Sequence, residues 1–207
     1  TLGAHTFRLL AKPTAIPLVP GVINTVTVEP FETRMDQVDL QAGDSVFLDG
    51  VSIANSTATV RLIDADGVVC LPASNLTAAH SRVTVKNSGT YWLVLDAQDA
   101  ITALDPITYE FAFYKPVNHV EVLTPGEAAS GSLTVPGQTI GYNFNLAVPA
   151  QVAFDSLSLR DDLVWTLTGP RGVEISSVSF IKTDASVLNL VAGAYRLDVQ
   201  GQGAATG

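Results

Sequence analysis

Apolar positions along this chain alternate with polar ones or gather in short runs, and Gly, Pro, Asn and Asp punctuate them at intervals of about ten residues. In the first half this pattern predicts strands over 24–29, 37–40, 44–51, 58–63, 82–85, 89–95 and 108–114. In the second half it predicts strands over 130–135, 140–146, 151–159, 163–167, 177–181, 187–190 and 193–199. The run Ile63-Asp64-Ala65-Asp66-Gly67-Val68 reads as a hairpin in which Gly67 supplies the positive-φ residue. Thr168-Gly169-Pro170-Arg171-Gly172 takes the same place later in the chain. No segment carries the periodicity of an amphipathic helix.

The two halves repeat one another. Val46 and Asp49 recur as Val152 and Asp155, 106 residues on. Gly67-Val68 recurs as Gly172-Val173 at an offset of 105, and Gly89-Thr90-Tyr91-Trp92-Leu93 as Gly193-Ala194-Tyr195-Arg196-Leu197 at 104. A slow drift of this kind is what small loop deletions produce, and the period is that of a small domain rather than of a solenoid unit. The expected fold is all-β: two tandem, jelly-roll-like antiparallel β-sandwich domains. Comparison of the copies turns Tyr91, Leu93 and Leu95 inward, with Tyr195, Leu197 and Val199. It also makes Trp165, the counterpart of Val60, a core residue. Trp92, whose counterpart is Arg196, is expected to alternate outward and is the candidate contact surface, for a neighbouring domain or for a sugar ring.

The frame of the repeat is permuted. The first copy closes on Ile107-Thr108-Tyr109-Glu110-Phe111-Ala112-Phe113-Tyr114, stopped by Lys115-Pro116. The chain opens on Ala4-His5-Thr6-Phe7-Arg8-Leu9-Leu10, followed by Lys12-Pro13, which reads as the same closing strand of a preceding or neighbouring repeat. The second copy reaches Gly201–Gly207 where its own closing strand is due. The expected divisions are therefore a closing strand over 1–13, one repeat over 14–116, and a second over 117–207 that lacks its last strand. Two readings fit: a stretch of a longer tandem array, or a device in which residues 1–10 complete the second domain of the same chain or of a neighbour. In the second reading Ala4, Thr6, Phe7, Leu9 and Leu10 form the assembly strand, supplying hydrogen bonds and core to an open edge. Thr14–Pro20 and Val117–Pro125 read as short, stiff linkers.

Composition narrows the function. A hydrophobic content of 47% with only 15% charged residues is ample for two cores. Lys plus Arg number 11 against 20 Asp plus Glu, a net charge of −9 that makes nucleic acid and anionic lipid poor partners. No run has the length of a membrane-spanning helix. The chain starts without an initiator Met or a signal peptide, so processing or excision is expected. Cys70 stands alone; its counterpart at an offset of 105 is Ile175, which predicts a buried apolar slot.

Catalytic chemistry does not assemble. His5, His80 and His119 lie far apart, without partners at metal-ligand spacing, and no Gly-x-Ser-x-Gly elbow occurs. No cofactor is expected, with one weak candidate: Asp64 and Asp66 stand in a loop of the kind that can hold calcium, although a hairpin favours Asp for turn geometry alone. Asp161 and Asp162 are a second carboxylate pair. Asn55-Ser56-Thr57 and Asn75-Leu76-Thr77 match the short N-glycosylation pattern.

The Gly89-Thr90-Tyr91-Trp92-Leu93-Val94-Leu95 strand, the hairpin before it and the closing Tyr109-Glu110-Phe111 strand resemble the bacterial pre-peptidase C-terminal domain. The second copy carries the likeness in Phe154-Asp155, in Leu167–Gly172 and in Gly193-Ala194-Tyr195-Arg196-Leu197. The resemblance implies a non-catalytic, jelly-roll-like sandwich found beside secreted hydrolases and in repeats of large exported proteins. The acidic linker cluster through which calcium-binding relatives act is not evident here. The expected role is a structural or assembly repeat of an exported bacterial surface or extracellular protein, partnered by neighbouring repeats or copies of itself. The alternative is an accessory domain binding polysaccharide or protein matrix beside a secreted hydrolase.

Overall fold

The computed structural model describes residues 7–11, 15–29, 32–53, 58–76, 80–97, 106–182 and 187–207. These residues form β-strands joined by turns, and the strands make sandwich-like layers. The chain forms two compact units, one from Thr1–Asp44 and Leu48–Phe113, the other from Tyr114–Gly207 with Ser45–Phe47. In the first unit a five-stranded sheet runs in the order β1 (Ile16–Pro17), β3 (Thr33–Leu40), β8 (Gly89–Asp96), β5 (Thr59–Ile63), β6 (Val69–Asn75). A four-stranded sheet runs β2 (Ile23–Val28), β9 (Ile107–Tyr114), β4 (Ser45–Ile53), β7 (His80–Thr84). Alternation places Val38, Leu40, Val60, Leu62, Tyr91, Leu93 and Leu95 in the core, all buried.

The second unit repeats the five-stranded sheet strand for strand: β10 (His119–Val122), β11 (Thr139–Leu146), β16 (Gly193–Gly201), β13 (Leu163–Gly169), β14 (Gly172–Ser179). Registers agree as well as order. Val38 pairs with Tyr91 and Leu40 with Gly89, as Phe144 pairs with Tyr195 and Leu146 with Gly193. The β5–β6 ladder shifts register on either side of Leu62, and the β13–β14 ladder on either side of Leu167. Bulges at matching points are features of the fold rather than accidents of one copy. Ser177, beside the second irregularity, has φ 47°. Gly169 pairs directly with Gly172, leaving two residues in the second hairpin, whereas Asp64 and Val68 enclose three in the first. That one-residue difference is the deletion that moves the offset from 105 to 104.

Several expectations change. Thr14–Pro20 and Val117–Pro125 are not plain linkers: they contain β1 and β10, laid parallel on β3 and β11 as edge strands. Their brevity hid them, since two to four residues are too few to show a period. Strand β6 was not foreseen, because the bulges break its alternation. The strand expected over 151–159 shortens to β12 (Ala150–Ala153), and Leu157 and Leu159 are exposed. No strand forms over 130–135. Cys70 is half-buried, and the ladders match Leu71 rather than Cys70 with Ile175, because Leu62 faces Leu71 as Leu167 faces Ile175. Burial and the nearby Asp64 charge push the Cys70 thiol up.

Candidate functional site

The units differ most in their smaller sheet. In the first, β9 lies between β2 and β4, burying Ile107, Tyr109, Phe111 and Phe113. In the second, β12 pairs only with β15 (Val187–Leu190), in a two-stranded sheet corresponding to β4 and β7. Among the described residues nothing takes the place of β9, and residues 130–135, the counterpart of β2, lack the partner against which β2 forms its ladder. Leu133 alone exchanges two backbone hydrogen bonds, with Gly207, at 3.1 and 2.7 Å. The core of the second unit is the less enclosed. Leu48, Leu93 and Leu95 are at most 1% exposed, but Phe154, Leu197 and Val199 at the matching positions are only partly buried. The second core is otherwise dense: Trp165 stacks on Phe154 at 4.3 Å between ring centroids, and Phe180 meets Phe154 edge-on.

Of the expected assembly strand, Ala4 and Thr6 lie outside the described residues. Phe7, Leu9 and Leu10 belong to no sheet and are 78%, 89% and 39% exposed. Arg8 Nη2 is 2.9 Å from Glu32 Oε1 and donates to the Thr33 carbonyl. The Glu29 amide and Arg8 together hold the Glu32 carboxyl below its ordinary value.

Trp92 is corrected. It is 8% exposed and Val94 beside it 4%, so β8 is covered on both faces. A strand buried on both sides reads as a continuous apolar run, and Tyr91-Trp92-Leu93-Val94-Leu95 is such a run. Its counterpart, Tyr195-Arg196-Leu197-Asp198-Val199, truly alternates, and Arg196 Nε donates to Asp198 at 2.7 Å. Asp64 is buried, and its Oδ1 accepts from the Asp66 and Val68 amides at 3.0 and 2.8 Å. The carboxylate organises its own loop. Asp66 is exposed, and no group of three or more metal-ligating side chains gathers among the described residues. Asp162 pairs with Arg160 rather than with Asp161; Arg160 also donates to the Thr206 carbonyl, and its hydrogen bond lowers the Asp162 pKa.

The chain pattern did not disclose a charged pair that reaches into the first core from a half-buried arginine. Asp36, 1% exposed, receives Arg34 through Nη2 at 2.8 Å and Nε at 3.0 Å. The counterparts of Arg34 and Asp36 are the buried Ile140 and Tyr142, so this pair substitutes for an apolar contact and avoids a lone buried charge. On the second unit a shallow groove of about 550 Å³ is lined by Val122, Asn143, Thr168, Gly169 and Arg196, among others. A methyl group on Gly169 would strike the Tyr195 ring.

No family model matches the chain. No characterised protein sequence matches it either. Solved structures do. The M60 catalytic domain with CBM51-1 and CBM51-2 domains from Clostridium perfringens ZmpB matches 85% of this chain at 8% identity and TM-score 0.28; the chain spans 32% of that one. The CUB1-EGF-CUB2 segment of human MASP-1/3 matches 89% at 6% identity and TM-score 0.28, with 95% of its own length covered. The two-domain fibronectin type III segment of chicken tenascin matches 83% at 13% identity and TM-score 0.22, again with 95% of its length covered. No helix among the described residues is long and apolar enough to cross a membrane.

Proposed function

We propose that the chain is a non-catalytic structural module, a pair of repeats from a large exported bacterial surface or extracellular protein, whose work is to extend, space or assemble. One observation carries the reading. What recurs between the units is the strand order, register and bulge position of the five-stranded sheet, whereas the side chains on the second face of its central strand and in its hairpin loop do not recur. Trp92 and Val94 give way to Arg196 and Asp198, and the Asp64–Val68 loop gives way to Gly169–Gly172. Duplication that preserves a sheet while changing the side chains of one face and one loop fits repeated mechanical units better than a repeated active site. The resemblance of the Gly-x-Tyr-x-Leu strand to pre-peptidase C-terminal domains supports the same reading. A sugar-binding role needs outward aromatic rings, and Trp92 does not provide one.

Pulling the full chain between handles tests this reading. It predicts two unfolding steps, each releasing roughly one domain of chain. One undivided step, or saturable retention of a glycan on an array, would overturn it.

A further inference from the structure

Each unit is entered by the same small device. β1 and β10 lie at the edges of their five-stranded sheets, parallel to the strand that each pairs with. Their residues are exposed, so neither strand adds to a core. Each ends at a leucine whose amide donates to that neighbouring strand: Leu18 to the Gln37 carbonyl at 2.7 Å, Leu123 to the Asn143 carbonyl at 2.8 Å. Gln37 and Asn143 hold matching positions in β3 and β11. Leu18 is buried, and Leu123 packs, partly buried, on the cluster of Leu133, Ile140, Tyr142 and Leu163. From Thr124 to Ser132 every residue is exposed; Leu133 then is buried and held by its two bonds to Gly207.

A short parallel edge without buried side chains is the weakest part of such a sheet. The register also decides how tension acts on it. His119 pairs with Ile140 and Gln200 with Thr139, so the start of β10 and the end of β16 lie at one end of the sheet, with β11 between them. Pulling these points apart acts across the ladder and loads its bonds one after another, whereas shear along the strands would load them together.

We propose that β10 is a tension-released strap. Force arriving from β9 through residues 115–118 breaks the bonds at its entry, where Asn118 Oδ1 accepts from the Thr139 amide and Gln138 donates to the Val117 carbonyl. It then peels His119–Val122 from β11 and draws Leu123 from its seat. Peeling stops at Leu133. About 14 residues, 119–132, are released, roughly 45 Å of extended chain, while β11, β16, β13 and β14 stay paired. The strap gives a row of modules reversible length before any sandwich unfolds. This inference rests on the structural-module reading and supplies its response to load.

Low-force magnetic tweezers on the full chain, tethered at both ends, test the strap. A reversible extension of roughly 45 Å should precede the two large unfolding steps. Val122 and Asn143 are exposed register partners, so a Val122→Cys/Asn143→Cys variant, in a Cys70→Ser background, can join β10 to β11 by a disulfide. Oxidation should abolish the early extension, and reduction should restore it. Leu123→Ala should lower the force of this extension more than that of the large steps. A chain that shows no extension before its first large step overturns the proposal. So does an early extension that survives the oxidised disulfide. The large steps do not depend on the strap, so the structural-module reading stands or falls separately.

Discussion

Tyr91 and Tyr195 are buried equivalents, and each Oη donates to a backbone carbonyl four residues upstream. Asn87 accepts at 2.7 Å in the first unit and Val191 at 2.9 Å in the second. The bond ties the turn entering the central strand to the core, in the manner of the tyrosine corner of other sandwiches. Tyr91→Phe and Tyr195→Phe should each destabilise their own unit by about 1 kcal/mol, measured from denaturant midpoints. Equal effects would mark one structural device used twice, and no loss at either site would show the bond to be idle. Glu32 gives a pH prediction. Its folded pKa lies below the ordinary 4.5, so the fold favours the ionised form. The stability this contributes is complete above about 4.5 and is lost as pH falls through the lowered folded value. Because the pair with Arg8 is solvent-screened, Glu32→Gln should cost at most about 1 kcal/mol at neutral pH. The gap from the wild type should close in acid; a gap that persists there would assign the effect to packing.

Among elements, the contrast lies between β4–β7 and β12–β15. The first pair belongs to a four-stranded sheet over a closed core, the second, among the described residues, to a two-stranded sheet over a less enclosed one. Two strands over a partly exposed core hold their hydrogen bonds weakly. In dilute solution, amides of 150–153 and 187–190 should exchange with solvent at least about tenfold faster than those of 46–49 and 82–84. Comparable protection would mean that the second sandwich is closed by other means. Much at this scale was legible beforehand: β8 and β16, β9, and the cores around Tyr91 and Trp165 stood out because long alternating or aromatic runs announce strands. The β1 and β10 edges did not, being short and proline-flanked. Nor did β6, whose period two bulges interrupt. The outward assignment of Trp92 failed because alternation shows which face a side chain takes, not whether that face is covered.

At the scale of the molecule, the two units share the order of the five-stranded sheet, in keeping with the repeat that the spacing of like residues had implied. Two-step unfolding belongs here, since it depends on each unit holding a core of its own. The chain alone determined the all-β character and the duplication, because hydrophobic period and turn residues are local properties written residue by residue. Only the tertiary structure decided that Trp92 is enclosed, that the buried Asp36 holds the half-buried Arg34, and that 130–135 forms no strand. Burial and β-pairing are relations between distant segments, and a ladder exists only when both of its sides are present.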